Sequence, residues 1–112
     1  MRGRPLWVLI ADDHPPTRDD VRRAIEGDER LDACASAADA AEAVQAALRQ
    51  RPDICLLDIR MPGSGLAAAW VIKARLPQAR VAIMSLVGRW GATGFGARLF
   101  APAPGAGLVA TE

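Results

Sequence analysis

The stretch LLDIRMPG (56–63) joins a short apolar run to an acid, Asp58, and then to a loop that contains proline and glycine. With the residues before it, the run reads DICLLD (53–58), the length of one strand buried in a parallel sheet. A strand that only filled a core would not need a carboxylate at its tip. The sequence therefore predicts a strand that carries Asp58 to a functional site.

Three further apolar runs have the length of a buried strand: LWVLIA (6–11), DACAS (32–36) and RVAIMS (80–85). Helical patterns separate the four strands, and they cover about residues 17–26, 39–50 and 66–76. Strands and helices that alternate at this spacing are typical of βαβ units. The pattern predicts a parallel sheet with right-handed crossovers.

Local signals mark the ends of two of these helices. Thr17 and Asp20 form a candidate capping pair for the first helix, and Gly27 predicts its end. Asp39 and Glu42 form a D-x-x-E start for the second, alanine-rich helix, which Pro52 follows. We expect each helix to connect two successive strands of the sheet.

The composition indicates one cytoplasmic domain. The chain has 112 residues with 14 basic and 13 acidic side chains, and its formal charge of +1 does not favour nucleic acid or a membrane surface. No apolar run approaches the ~20 residues of a membrane span. Cys34 and Cys55 lack the CxxC spacing of a metal or redox site, so we expect two reduced thiols.

Acidic and hydroxyl side chains follow three of the four predicted strands. Asp12 and Asp13 follow the first strand, Asp58 ends the third and Ser85 ends the fourth. Ligands of open α/β sheets bind beyond the carboxyl ends of the strands, where we expect these side chains to meet. Three clustered carboxylates repel one another unless a proton or a cation lies among them, and Mg²⁺ suits such oxygen ligands. A cation would also offset the charge of an incoming phosphoryl group while a carboxylate attacks it.

The motifs VLIADDHP (8–15), LLDIRMPG (56–63) and VAIMS (81–85) resemble those of a known family. They look like the receiver domain of bacterial two-component response regulators, of the kind that precedes a LuxR-type helix-turn-helix domain. The resemblance covers about residues 6–86, three quarters of the chain. It implies a CheY-like, flavodoxin-like α/β fold: a doubly wound parallel sheet with strand order 2-1-3-4-5.

The resemblance also implies roles for individual residues. Asp58 resembles the phosphoacceptor aspartate, which takes its phosphoryl group from a sensor histidine kinase. Asp12 and Asp13 resemble the acidic pair that binds Mg²⁺ together with Asp58, and Arg60 would offer its main-chain carbonyl to the ion. Ser85 resembles the hydroxyl residue that senses the phosphoryl group. These roles make the chain a phosphoacceptor rather than a turnover enzyme, located in the cytoplasm and without a membrane partner.

The last quarter of the chain departs from the family. After Ser85 the family has a fourth helix, a fifth strand ending in a lysine that pairs with the phosphoryl group, and a fifth helix. The one lysine here, Lys73, lies in the third predicted helix, and no DNA-binding domain follows. GARLFAPAP (96–104) is a candidate strand, but its prolines should cut it short. We therefore expect a truncated receiver domain over residues 1–86 and an atypical Gly/Pro-rich tail over residues 87–112.

A shift of reading frame is one explanation of this tail. In another frame, the codons of Leu99 to Gly105 permit a segment that resembles what receivers carry before their fifth strand. A one-base deletion, or a two-base insertion, near residues 86–95 would produce the present tail. In that case VAIM (81–84) would form an apolar sheet edge, and the chain would associate with itself or form a homodimer.

The resemblance favours a phosphoacceptor that is impaired by loss of its C-terminal part. Three other functions are alternatives to it. A degenerate receiver could act only as a protein-interaction domain, without phosphorylation. A phosphatase of the haloacid-dehalogenase type would need an acid two residues beyond its nucleophile, where Arg60 stands. A flavin-binding relative would need a phosphate-cradling loop after the first strand, where this chain has DDHP (12–15).

Overall fold

The computed structural model describes residues 3–90, 94–103 and 107–111, with side chains described from residue 3 to residue 84. The strands are β1 (Leu6–Ala11), β2 (Leu31–Ala37), β3 (Ile54–Asp58), β4 (Arg80–Trp90), β5 (Gly94–Ala103) and β6 (Gly107–Thr111). The helices are α1 (Pro15–Glu26), α2 (Ala40–Gln50) and α3 (Gly65–Arg75).

The strands form one sheet in the order β2-β1-β3-β4-β5-β6. The first four strands are parallel, with β1 between β2 and β3. This arrangement confirms the predicted CheY-like order 2-1-3-4. The departure after β4 is also confirmed, because β5 and β6 are antiparallel additions rather than a fifth parallel strand.

The expectation that VAIM (81–84) forms an apolar edge is wrong for this structure. Strand β5 pairs with β4, where Ile83 lies opposite Phe100 and Met84 opposite Leu99. The expected early end of this strand is also wrong, since β5 continues through Pro102. A proline is tolerated in a sheet at positions whose N–H is not needed by the hydrogen-bond ladder.

Helix α1 begins at Pro15, earlier than predicted. His14 is the N-cap, and its Nδ1 accepts a hydrogen bond from the Thr17 amide at 3.3 Å. The predicted capping pair of Thr17 with Asp20 is therefore wrong. Prolines fit the first two helical positions because the amide groups there have no partner within the helix. Gly27 ends the helix, as predicted.

Helix α2 begins as the D-x-x-E pattern predicts. The Asp39 carboxylate accepts a hydrogen bond from the Glu42 amide at 2.8 Å, and the Glu42 carboxylate accepts one from the Ala38 amide at 3.2 Å. These bonds satisfy one amide in the first turn and one just before the helix. Arg51 caps the other end in the left-handed conformation, with φ of 49°.

The main core lies between the sheet and the helices α2 and α3. Along the central strands, every second residue points into this layer and is buried: Leu9, Ala11, Cys55, Leu57, Val81 and Ile83. Right-handed crossovers place α1 on the opposite face, because it leads from β1 to β2 while α2 and α3 lead in the other direction across the sheet. On the α1 side, Val8 and Ile10 are buried, whereas Leu56 and Ala82 are only half-buried.

Both cysteines are free thiols, as expected. Burial raises the pKa of the Cys55 thiol to about 12, so this side chain acts as a small apolar residue of the core. Among the described residues, no helix has the length and apolar character to cross a membrane.

Candidate functional site

Three carboxylates lie together beyond the carboxyl ends of β1 and β3. One carboxylate oxygen from each of Asp12, Asp13 and Asp58 lies within 4.8 Å of the other two. Asp12 is buried with 4 % of its surface exposed, Asp58 is half-buried and Asp13 is exposed. The structure thus brings together the three acids that the sequence singled out, although about 45 residues separate them along the chain.

The main chain and the side chain of Asp12 are both held in place. The Asp12 amide donates to the Ala37 carbonyl at 3.0 Å, which extends the pairing of β1 with β2 by one residue. Its Oδ1 accepts from the His14 amide at 2.9 Å. The Arg18 guanidinium donates to the Asp12 main-chain carbonyl at 2.7 Å. The buried acid therefore has a defined position before any ligand arrives.

The pKa of Asp58 is raised by its surroundings in the cluster. Burial raises the pKa of this carboxyl; the negative charges of Asp12 and Asp13 and a hydrogen bond with Asp12 act in the same direction. The Arg60 amide, which donates to Asp58 Oδ1 at 3.3 Å, partly opposes the rise in pKa. The carboxylates can share a proton or a cation, and an ion would relieve their repulsion.

The loop after Asp58 has an unusual backbone. Gly63 and Ser64 both have positive φ, at 85° and 76°. Ser64 is the N-cap of α3, and its Oγ accepts from the Ala67 amide at 3.2 Å. The Gly65 amide donates to the Ile59 carbonyl at 3.3 Å, which ties the start of α3 to the end of β3. The sequence signal for this turn is the short segment PGSG (62–65).

The other predicted site residues are placed less completely. Arg60 is exposed beside Asp58, and the role of its main-chain carbonyl as a metal ligand stays a prediction. Ser85 follows Met84, the register partner of Asp58, so its backbone lies at the same end of the sheet. Its side chain lies outside the described side chains, and its role stays a prediction.

Two basic residues, Lys73 and Arg18, differ in their distance from the acids. Lys73 donates to the carbonyls of Pro77 and Ala79, at 2.8 and 2.7 Å, and these lie beyond the C-terminal end of α3. It therefore lies far from the acids, as the sequence indicated. Sequence reasoning missed Arg18, the guanidinium bonded to the Asp12 carbonyl. Its only signal was an arginine in the first turns of the helix that follows the acidic pair.

The oxygen ligands present here fit a hard divalent cation. Mg²⁺ binds through one or two carboxylates and keeps several water molecules, and the exposed Asp13 leaves one side of the cluster open to solvent. The negative charges of Asp12, Asp13 and Asp58, which repel one another, would all attract such an ion. Asp12, Asp13 and Asp58 can therefore hold the metal.

Comparison with known proteins agrees with this geometry. The response regulator receiver domain matches residues 8–92. The oxygen regulatory protein NreC of Staphylococcus epidermidis is 36 % identical over 83 residues, 72 % of this chain and 38 % of that protein. A protein-glutamate methylesterase/protein-glutamine glutaminase of Pyrococcus horikoshii is 36 % identical over 87 residues, 77 % of this chain and 24 % of that protein.

Solved structures give the same result. The signal receiver domain of the response regulator NarL from Mycobacterium tuberculosis has a TM-score of 0.71 at 32 % identity, covering 74 % of this chain and 68 % of that one. A LuxR-family response regulator from Aurantimonas has a TM-score of 0.70 at 32 % identity, covering 76 % and 61 %. The chain belongs to the receiver domain family of two-component response regulators. It spans well under half the length of the curated relatives named above.

Proposed function

We propose that this chain is a phosphoacceptor module in which Asp58 takes a phosphoryl group from the phosphohistidine of a sensor histidine kinase. Asp12, Asp13 and Asp58 would hold Mg²⁺, together with the main-chain carbonyl of Arg60. The observation that carries the proposal is the group of three carboxylate oxygens within 4.8 Å of one another at the end of the sheet. Membership of the receiver family supports it.

The transfer exchanges one bond to phosphorus for another. An Asp58 carboxylate oxygen attacks the phosphorus atom, the phosphorus–nitrogen bond breaks, and its electron pair returns to the imidazole of the kinase. Only the deprotonated carboxylate of Asp58 can attack, and burial together with the neighbouring acids, by raising its pKa, disfavours that form relative to an ordinary aspartate. When bound, Mg²⁺ would offset the negative charge of the carboxylates and of the phosphoryl group. The Arg60 amide donates a hydrogen bond to Oδ1 of Asp58 and so orients the attacking carboxylate.

The reaction should be slow in this chain. Its one lysine, Lys73, is bonded to carbonyls beyond the far end of α3. Preorganised cations contribute strongly to the stabilisation of developing charge, so the loss of one lowers the rate. In this proposal residues 1–86 form the receiver domain and residues 87–112 an atypical tail, for which a shifted frame is one explanation. A sensor histidine kinase is the partner, and the cytoplasm is the compartment.

The second candidate function is a receiver that acts only through protein contacts, without phosphorylation. The missing lysine is the observation that favours it. Self-association belongs to the same candidate, since a domain that has lost its catalytic step can still present its surfaces to a second copy.

Intact-mass measurement tests the choice between the two functions. Purified chain is incubated with acetyl phosphate and Mg²⁺, and we expect a substoichiometric gain of one phosphoryl group that is stable in acid and labile in base. Asp58→Asn should abolish the gain, while the control Asp19→Asn, an exposed acid on α1, should retain it. A gain that persists in Asp58→Asn contradicts the assignment of the nucleophile. No gain in the folded wild-type chain favours the interaction domain.

A further inference from the structure

Helix α3 has an apolar face on each side. Its core side consists of buried residues: Gly65, Ala68, Ala69 and Ile72. Its outer side consists of two rows spaced four residues apart, one of Leu66, Trp70 and Ala74, the other of Ala67, Val71 and Arg75. A surface helix normally turns polar residues outward. The outer side of α3 is therefore not explained by the fold.

The exposure of this outer side is large. Leu66 is 36 % exposed, Trp70 53 % and Val71 44 %, and they are three of the five exposed large apolar residues in the described part of the chain. The remaining two such residues, Leu6 and Trp7, lie at the start of β1, and the Arg4 guanidinium covers the Trp7 ring at 5.3 Å. Contiguous exposed apolar side chains mark interaction sites more often than scattered ones do.

Along the chain, the charges that follow Asp58 have one sign as far as residue 111. Every charged residue from position 59 to position 111 is basic: Arg60, Lys73, Arg75, Arg80, Arg89 and Arg98. Arg60 precedes the helix and Arg75 lies in its last turn, both exposed and, among the described residues, in no ion pair. We call Leu66, Trp70, Val71, Arg60 and Arg75 the α3 surface. It has an apolar centre and a cation near each end, without a carboxylate of its own.

We propose that the α3 surface binds an amphipathic helix of a partner protein whose apolar face is flanked by acidic residues. An apolar stripe with spacing of three to four residues is the complement of such a helix, and carboxylates at its flanks would pair with Arg60 and Arg75. Two copies of the α3 surface would place arginine against arginine, which disfavours a second copy as the occupant. The proposal does not depend on phosphorylation of Asp58.

Two labelled helical peptides test the proposal on the full chain. Each has about 18 residues with leucines along one face, flanked by glutamates in one peptide and by lysines in the other. We expect the glutamate peptide to bind at least about tenfold more tightly than the lysine peptide. Raising salt to about 0.5 M should weaken its binding severalfold.

Variants locate the binding on α3. Trp70→Gln with Val71→Gln should weaken the glutamate peptide about tenfold, whereas Leu6→Gln, an exposed apolar control, should not. Arg75→Glu should weaken it several-fold, whereas Arg23→Glu on α1 should not. Asp58→Asn should bind normally, which separates this proposal from the proposed phosphoacceptor function.

Several results would overturn the proposal. Equal binding of both peptides removes the charge argument, and binding unchanged in the α3 variant places the site elsewhere. No binding of the glutamate peptide by the folded chain at about 0.1 mM excludes the docking surface. Binding to vesicles that contain phosphatidylserine, without binding to the peptide, makes the surface a membrane contact instead. Self-association that disappears in the Trp70→Gln/Val71→Gln variant makes it a contact between copies.

Discussion

The position that a Cβ atom would take on Gly65 lies 2.0 Å from the main-chain carbonyl oxygen of Asp58. No side-chain carbon fits at that distance, so the start of α3 rests directly on the end of β3. Glycine is otherwise a poor residue for a helix, because it loses the most backbone freedom on folding. The close approach explains its presence and fixes the position of Asp58 relative to the helix.

Gly65→Ala should therefore destabilise the protein. Overpacking against a main chain that cannot move aside should lower the free energy of unfolding by about 2–3 kcal/mol, measured by urea denaturation. Gly27→Ala is the matched control, since its nearest contact would be at 3.4 Å and its φ is −76°. It should change the free energy by less than about 1 kcal/mol. Equal effects of the two variants would show that the contact is not tight.

Mg²⁺ should stabilise the wild-type chain. At a concentration ten times the dissociation constant, binding adds about 1.4 kcal/mol, which corresponds to about 6 °C in melting temperature for a domain of this size. Asp12→Asn and Asp13→Asn should each remove most of this shift, while Asp19→Asn should keep it. A folded chain that does not respond to millimolar Mg²⁺ would count against the site.

Asp58→Asn should change the pH dependence of stability in the absence of metal. Because the folded pKa of Asp58 is raised, its stabilising contribution is present below the unfolded value of 3.8 and is lost as pH rises through the folded pKa. In EDTA, the wild type should therefore lose stability relative to Asp58→Asn over that interval. Melting temperatures of both proteins from about pH 3.5 to about pH 7 check this difference. A variant less stable than the wild type at neutral pH without metal would contradict the expected sign.

Arg18→Ala should weaken the metal site without removing a ligand. The guanidinium holds the Asp12 carbonyl at 2.7 Å, and its loss frees the turn that positions both acids. We expect the dissociation constant for Mg²⁺ to rise about threefold to tenfold, measured from the same thermal shifts. Arg23→Ala, which removes an exposed arginine paired with Asp20 on the same helix, is the control. An unchanged affinity in Arg18→Ala would assign this arginine to the fold alone.

Ser85→Ala should separate phosphorylation from its consequence. The backbone of Ser85 follows Met84, the register partner of Asp58, and the resemblance to receiver domains assigns its hydroxyl to sensing the phosphoryl group. We expect the mass adduct on Asp58 to form while the accompanying change in tryptophan fluorescence is reduced. If the adduct itself disappears in Ser85→Ala, this residue takes part in the transfer rather than in sensing it.

Much of the site was predictable because its residues follow strands. The apolar run LWVLIA (6–11) coincides with β1, and DICLLD (53–58) begins one residue before β3. Acids that follow buried parallel strands must gather at one edge, which is why Asp12, Asp13 and Asp58 could be grouped without a structure. The start of α2 was predictable for a similar reason, since the Asp39–Glu42 pattern has a direct hydrogen-bonding cause.

The remaining features leave weak traces in the sequence. Every residue has a main-chain carbonyl, so the bond from Arg18 to Asp12 has no pattern of its own. His14 as a helix cap was hidden because the two prolines after it resemble a loop. After Ser85 no apolar period distinguishes a strand from a loop, so the candidate strand at residues 96–104 was recognised without its full extent or its antiparallel pairing with β4. The boundary at residue 86 and the shifted frame stay predictions.

The position of β1 between β2 and β3 sets the order in which the strands can pair during translation. Val8 pairs on one side with Ala33 and on the other with Ile54, about 46 residues later in the chain. A nascent chain can thus pair β1 with β2 early, but the inner edge of β1 stays open until the ribosome releases β3. The same event brings Asp58 to Asp12, so cation affinity should arise abruptly as the nascent sheet closes. Sensitivity of stalled chains to Mg²⁺ would then mark the length at which the domain first becomes native.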